Sequence, residues 1–158
     1  MESLVTWFEN TWLSSFVASN WWGWPLAETL HFIGLCLLIG VIGTLDLRML
    51  GMARGLSIAS MHRLVPWGVL GFALNVISGI AFIAADPGRF VPSALFQFKL
   101  LLILLAGINV LVFYVSFYRT SLEWAPDGDI PIGSKIIAAT SLILWSAITL
   151  IGRFMAFV

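Results

Sequence analysis

The stretch FQFKLLLILLAGINVLVF, residues 96–113, carries a single charge, Lys99, in an otherwise almost wholly apolar run. At about 1.5 Å per helical residue it reaches roughly 27 Å, close to the ~30 Å thickness of a hydrocarbon bilayer core. It is too long for a buried strand and has no polar face for water, so it reads as a membrane-spanning helix. Three further stretches read the same way. The expected spans cover residues 25–49, 65–85, 94–118 and 134–156. Composition agrees: 60% of the chain is hydrophobic, 10% is charged, and mean hydropathy is +1.01. A formal net charge of zero leaves no basic field with which to hold nucleic acid. The expected fold is therefore an all-α integral membrane protein, a four-transmembrane-helix bundle forming a single domain over residues 1–158, with the lipid bilayer as its first partner.

Helix punctuation supports these boundaries. Pro25 and Pro66 sit near helix starts, Ser93 follows Pro92 as an N-cap, and PDGD, residues 126–129, has turn chemistry. Pro66 has no N–H, so the His62 carbonyl loses its helical partner and a break is expected there. Ahead of the first span, Leu4, Trp7, Phe8, Trp12 and Phe16 recur at helical spacing opposite Glu2, Thr6, Glu9 and Asn10. This predicts an interfacial amphipathic helix over residues 2–20, followed by Trp21, Trp22 and Trp24 at headgroup level. The start lacks the basic residues of a signal peptide, so no cleavage is expected. Cys36, the one cysteine, can neither close an internal disulfide nor build a multi-thiolate site.

Arg48, Arg54 and Arg63 lie between spans one and two, and Arg119 and Lys135 between spans three and four. The positive-inside rule places those loops in the cytoplasm and both termini outside, along with the turn at residues 86–92.

Against this apolar background the ionisable residues stand out. Glu28, His31, Gln97, Lys99 and Arg153 gather at the outer end, with His31 and Lys99 each roughly 9 Å inside a span. Asp46, Arg48, His62, Arg63, Tyr114, Tyr118 and Arg119 gather at the inner end, where a solvated boundary is the plain account. Ionisable groups at depth are costly in lipid and commonly face a bundle interior or cavity. Imidazole is a common axial ligand of haem iron, and cofactors sit between the facing helices of bundles. His31 with Lys99 and Arg153, and His62 with Arg48, Arg63 and Arg119, each pair a candidate iron ligand with cations suited to propionates. One or two b-type haems per chain are thus expected. The histidines lie roughly 20 Å apart in depth, too far to share one iron. Glu28, one turn before His31, would orient its imidazole or tune its basicity. Alternatively Glu28 and Lys99 form an ion pair, both cations snorkel, and His31 is a hydrogen-bonded packing residue.

ETLHFIGL with GTLDLRMLG, then FQFKLLLILLAGINVLVF and PIGSKIIAATSLILW, resembles a family of small four-helix bacterial inner-membrane proteins of unassigned function. That family is in turn distantly similar to copper-resistance D proteins and four-helix b-type cytochromes. The resemblance covers all four spans and implies a bacterial inner-membrane location and haem at His31, although this chain has two histidines where such cytochromes carry several paired ones.

Three function classes follow. One is a b-type haem protein moving electrons, an oxidoreductase function with a quinol or a periplasmic redox partner. A second is a copper-handling protein using Met49 and Met52, spaced to share a helix face, and Met61 beside His62. The third is a cofactor-free structural or lipid-interacting oligomer. Small-residue stripes at Gly71, Asn75 and Gly79, and at Cys36, Gly40 and Thr44, suit close helix approach within or between subunits, and Asn75 or Asn109 could bond across an interface. No nucleophile–base pair or phosphate-binding glycine loop supports a hydrolase or ATPase.

Overall fold

The computed structural model describes residues 2–52, 54–122, 124, 128–155 and 157. Within them the elements are α1 (Glu2–Glu9), α2 (Trp12–Ser19), α3 (Gly23–Met49), α4 (Ile58–His62), α5 (Val65–Ala85), α6 (Pro87–Phe90), α7 (Ala94–Ser116), α8 (Tyr118–Ser121) and α9 (Ile132–Phe154). Four of these stretches, 23–49, 58–85, 94–116 and 132–154, are long and apolar enough to cross a membrane. The chain is a four-helix membrane bundle with no strand among the described residues.

Local chemistry sets the boundaries. The Ser93 hydroxyl accepts from Phe96 N–H at 3.3 Å and caps α7. Pro66 lies in the first turn of α5, and the chain between α4 and α5 leaves the helix at Arg63 and Leu64. The expected break after His62 is therefore present. Span three stops at Ser116 rather than residue 118, because Phe117 departs from helical backbone before α8 begins. The first two residues of the PDGD turn lie outside the described residues.

The N-terminal segment corrects the expectation of one interfacial helix. It is two short helices, because the Thr11 hydroxyl accepts from Ser14 N–H at 3.2 Å and starts a new helix. Nor does it merely lie on lipid. Val17 is buried with Ala27 of α3 and Ala81 of α5, flanked by Leu13, Phe16, Trp24 and Phe82. The segment thus packs across one end of the α3–α5 pair, while Trp21 stays exposed.

The four spans form two close pairs, α3 with α5 and α7 with α9, and the pairs meet along a seam between α3 and α9. Gly34 and Gly71 let α3 and α5 touch. A Cβ on Gly34 would lie 2.7 Å from the Gly71 carbonyl oxygen, and one on Gly71 would lie 2.6 Å from that of Gly34. Gly71 of its stripe is thus used inside the subunit, and the Asn75 amide is bonded one turn back within α5, to the Gly71 carbonyl at 2.9 Å. Gly40 and Thr44 instead face outward with Cys36, and the Thr44 hydroxyl donates to the Gly40 carbonyl. Asn109 also bonds within the subunit, its amide donating to the Ile137 carbonyl at 3.1 Å and tying α7 to α9.

Because α5 and α7 are the outer member of each pair and share no comparable seam, the bundle opens between them. At the His31 end the opening is strapped by Arg89, whose guanidinium donates to the Met155 carbonyl at 2.8 Å.

Candidate functional site

Each histidine is held by a serine, and at His31 the hydrogen-bond donors fix which ring nitrogen carries the proton. On α5 the Ser78 hydroxyl donates to the Leu74 carbonyl at 2.6 Å. Its one proton is then used, so the 2.8 Å contact with His31 Nδ1 is His31 N–H donating to Ser78. Nε2 of His31 keeps its lone pair. Near His62, the Ser121 hydroxyl donates to the Tyr118 carbonyl at 2.7 Å, and His62 Nε2 lies 3.4 Å from the same oxygen. That long contact is compatible with the proton on Nε2, which leaves Nδ1 as an acceptor. That Nδ1 is buried and has no partner. The His62 ring lies among Phe113, Tyr114 and Tyr118, with centroids 6.0, 6.3 and 5.1 Å away.

Two other buried polar atoms are unpartnered among the described residues, Asp46 Oδ2 and Trp145 Nε1. Asp46 is 4% exposed. Ser141 of α9 lies against its carboxylate, and Trp145 stands one helical turn further along the same face. Unmet polar atoms of this kind each cost about 1–3 kcal/mol, and native proteins carry few.

All three of these atoms belong to residues that line one cavity. It has a volume of about 380 Å³ and is partly open. Leu38, Ile42 and Asp46 of α3, Gly68 and Phe72 of α5, Gly107 and Phe113 of α7, and Ser141 and Trp145 of α9 contribute to its wall, with His62 at one end. Most of that wall is hydrocarbon. An apolar chamber with a few convergent polar groups is the usual form of a small-molecule site.

The residues expected at the outer end fall into a looser arrangement. Lys99 lies within electrostatic range of His31, and its ammonium packs where Gly152 has no side chain: a Cβ there would lie 3.2 Å from Nζ. Glu28 is exposed and forms no ion pair with Lys99, which corrects the alternative pairing. Arg153 is exposed, its guanidinium 4.9 Å from the Phe157 ring centroid. Gln97 reaches the Val91 carbonyl instead of the bundle interior. His31 lines neither this cavity nor the second large one described below.

At the other end, Arg48 is not a solvated boundary cation. It is 1% exposed, and its Nε donates to the Leu56 carbonyl at 2.7 Å, holding the connection after α3. Arg63 and Arg119 are exposed. Met49 and Met52 do not share a helix face, because α3 ends at Met49. Met49 packs in an apolar cluster with Ile58, Phe113 and Ala138, Met61 is buried, and Met52 is exposed. Among the described residues no three His, Cys, Asp or Glu side chains converge as a metal-ligand group.

Sequence reasoning placed Asp46 at a solvated boundary and did not single out Trp145 or Ser141. A signal was present. Tryptophan prefers the two interfaces of a membrane, and Trp145 sits mid-span, where an indole N–H has no water to meet. Comparison of the chain with protein-family models, with curated proteins and with solved structures returned no match.

Proposed function

We propose that this chain is a membrane-embedded binding protein for a lipid-soluble molecule with a hydroxylated ring head, of the quinol type. The observation that supports it is that His62, Asp46 and Trp145, each carrying a buried and unpartnered polar atom, all line one partly open cavity. Two acceptors and one donor match such a head. One ring hydroxyl donates to His62, the other donates to Asp46, and Trp145 N–H donates to a hydroxyl oxygen. The aromatic ring packs on Phe72, Phe113 and Tyr114, and the tail leaves between α5 and α7 past Val69 and Gly107. Lateral entry suits a ligand that already resides in the bilayer.

The test is titration of the purified protein in detergent with decylubiquinol under anaerobic conditions, followed by thermal stability. Saturable stabilisation that is lost in Asp46→Ala and weakened in His62→Ala and Trp145→Phe is expected. Absence of saturable stabilisation, or an unchanged response in all three variants, overturns the reading.

The basic residues Arg48, Arg54, Arg63, Arg119 and Lys135 all belong to the His62 end, which supports a cytoplasmic His62 end and periplasmic termini in a bacterial inner membrane. Impermeant labelling of Ser57→Cys and Ser3→Cys in spheroplasts tests this. Labelling at position 57 but not 3 overturns it.

A second reading keeps a b-type haem at His31. It is favoured by the Ser78 bond, which holds the ring by Nδ1 and leaves Nε2 as a lone pair near Lys99. A haem there would supply one-electron exchange, with Lys99 or Arg153 holding a propionate. A pyridine haemochrome assay decides it: protein that purifies colourless, or keeps its full spectrum after His31→Ala, refutes it.

A further inference from the structure

Asp46 and Trp145 also line a second cavity, of about 370 Å³, whose wall comes from α3 and α9 alone. Ile39 and Gly43 of α3 and Leu142, Ser146, Thr149 and Leu150 of α9 complete it. Ile42, Asp46 and Trp145 are common to both chambers, so they form the partition between them. Asp46 is the one residue of that partition that can gain or lose a proton. Its carboxylate lies against Ser141, while Oδ2 has no hydrogen-bond partner among the described residues.

The two chambers differ in what they can admit. The first is bounded by aromatic and aliphatic side chains on four spans and, on the reading above, is filled by the ligand. The second has the hydroxyl residues Ser146 and Thr149 in the same wall as Asp46. Thr149 donates its proton to the Trp145 carbonyl at 2.8 Å, which leaves its oxygen as an acceptor for water. His62 of α4 and Tyr114 of α7 are the titratable groups across the first cavity, whereas α5 and α9 bring none to either wall. Asp46 is the only titratable side chain lining the second.

We propose that Asp46 takes up and releases its proton through the second cavity, while the first cavity carries the ligand. On release the carboxyl O–H bond breaks, its electron pair stays on the carboxylate, and the proton passes to a water in the second cavity. Uptake is the reverse, and no oxidant or reductant enters. The carboxyl is then two-sided. What it touches in the first chamber rests on the quinol-type reading, but proton exchange through the second does not.

Two glycines allow each chamber to be blocked separately. A Cβ at Gly43 would meet only Ile39 Cγ2, at 3.9 Å, and one at Gly107 would meet nothing within 4 Å. Gly43 lines the second cavity and Gly107 the first, so Gly43→Leu and Gly107→Leu each add bulk to the wall of one cavity without backbone collision. The experiment uses the full chain in phosphatidylcholine bilayers, with infrared difference spectra recorded after a pH jump. The Asp46 carboxyl band is the one missing from Asp46→Asn. Gly43→Leu is expected to slow that band's response about tenfold or more, and Gly107→Leu to leave it within about twofold. Any other pattern overturns the proposal, including a band slowed by Gly107→Leu and the absence of any band removed by Asp46→Asn. Circular dichroism checks that each variant is folded, and Gly43→Val replaces Gly43→Leu if the larger side chain is not accommodated. Decylubiquinol titration of the same variants separates the two readings. If Gly107→Leu still binds the quinol, the ligand reading fails, yet the proton route stands on its infrared kinetics.

Discussion

Gly34 and Gly71 meet backbone to backbone, each occupying the space where the other's side chain would begin. Between lipid-facing helices there is no hydrophobic drive, so association depends on close packing, and this contact brings the backbones of α3 and α5 together. Gly71→Ala will force the helices apart, since its Cβ would lie 2.7 Å from Leu38 N as well as 2.6 Å from Gly34 O. The expected loss is about 1–3 kcal/mol. Reversible unfolding in mixed micelles measures it, with Gly79→Ala as the control, because a Cβ there meets nothing within 4 Å.

Ser78 is buried and joins α5 to α3 through His31 Nδ1. Ser78→Ala removes the acceptor and leaves an imidazole N–H unmet, at a cost of roughly 0.6–2 kcal/mol for a bond between membrane helices. In a His31→Phe background the same substitution will cost less, because the donor is gone. Equal costs in both backgrounds would mean that the 2.8 Å contact contributes nothing to stability.

Trp145→Phe should act with opposite signs on stability and on binding. In the ligand-free protein the indole N–H is a buried donor without a partner, and deleting it removes a penalty while keeping most of the ring's packing. Stability in the absence of ligand will be unchanged or higher by up to ~1 kcal/mol. Affinity for decylubiquinol will fall about 5–10-fold, the worth of one hydrogen bond. A variant destabilised without ligand would show that the indole nitrogen is already satisfied.

The spans were legible because hydropathy and punctuation act locally. Pro66 starts α5 and Asp86 ends it, and the expected residues 65–85 are those observed. The N-terminal segment was only half legible: its apolar spacing continues through Thr11, and nothing in that spacing reports a hydroxyl that caps a new helix. The polar cavity was least legible. Asp46 lies near the end of its helix, where sequence places a solvated residue, and it is buried because Ser141, far along the chain, comes against it. Pairing between α3 and α9 is a tertiary fact that no window of sequence contains. Arg48 differs for the same reason, being buried by the Leu56 carbonyl that returns over it.

Val17 provides the last prediction, on the N-terminal helices. It is buried against Ala27 and Ala81, and a Cβ at Gly23 would lie 2.8 Å from the Val17 carbonyl oxygen and 2.9 Å from that of Phe16. The chain therefore turns tightly at residues 20–23 so that α2 folds back onto the end of the α3–α5 pair. If the segment were only a membrane-surface anchor, Val17→Ala would be nearly silent, since lipid would replace the lost contacts. As a packed cap it will cost roughly 1–2 kcal/mol, from about 0.8 kcal/mol per buried methylene with a further cavity term. Gly23→Val will cost more, because the obstacle to its side chain is backbone, and Trp12→Ala will cost little, because Trp12 is exposed. Thermal unfolding of the three variants in one detergent gives the order. Trp12→Ala as the most damaging of the three would return the segment to the role of an interfacial anchor.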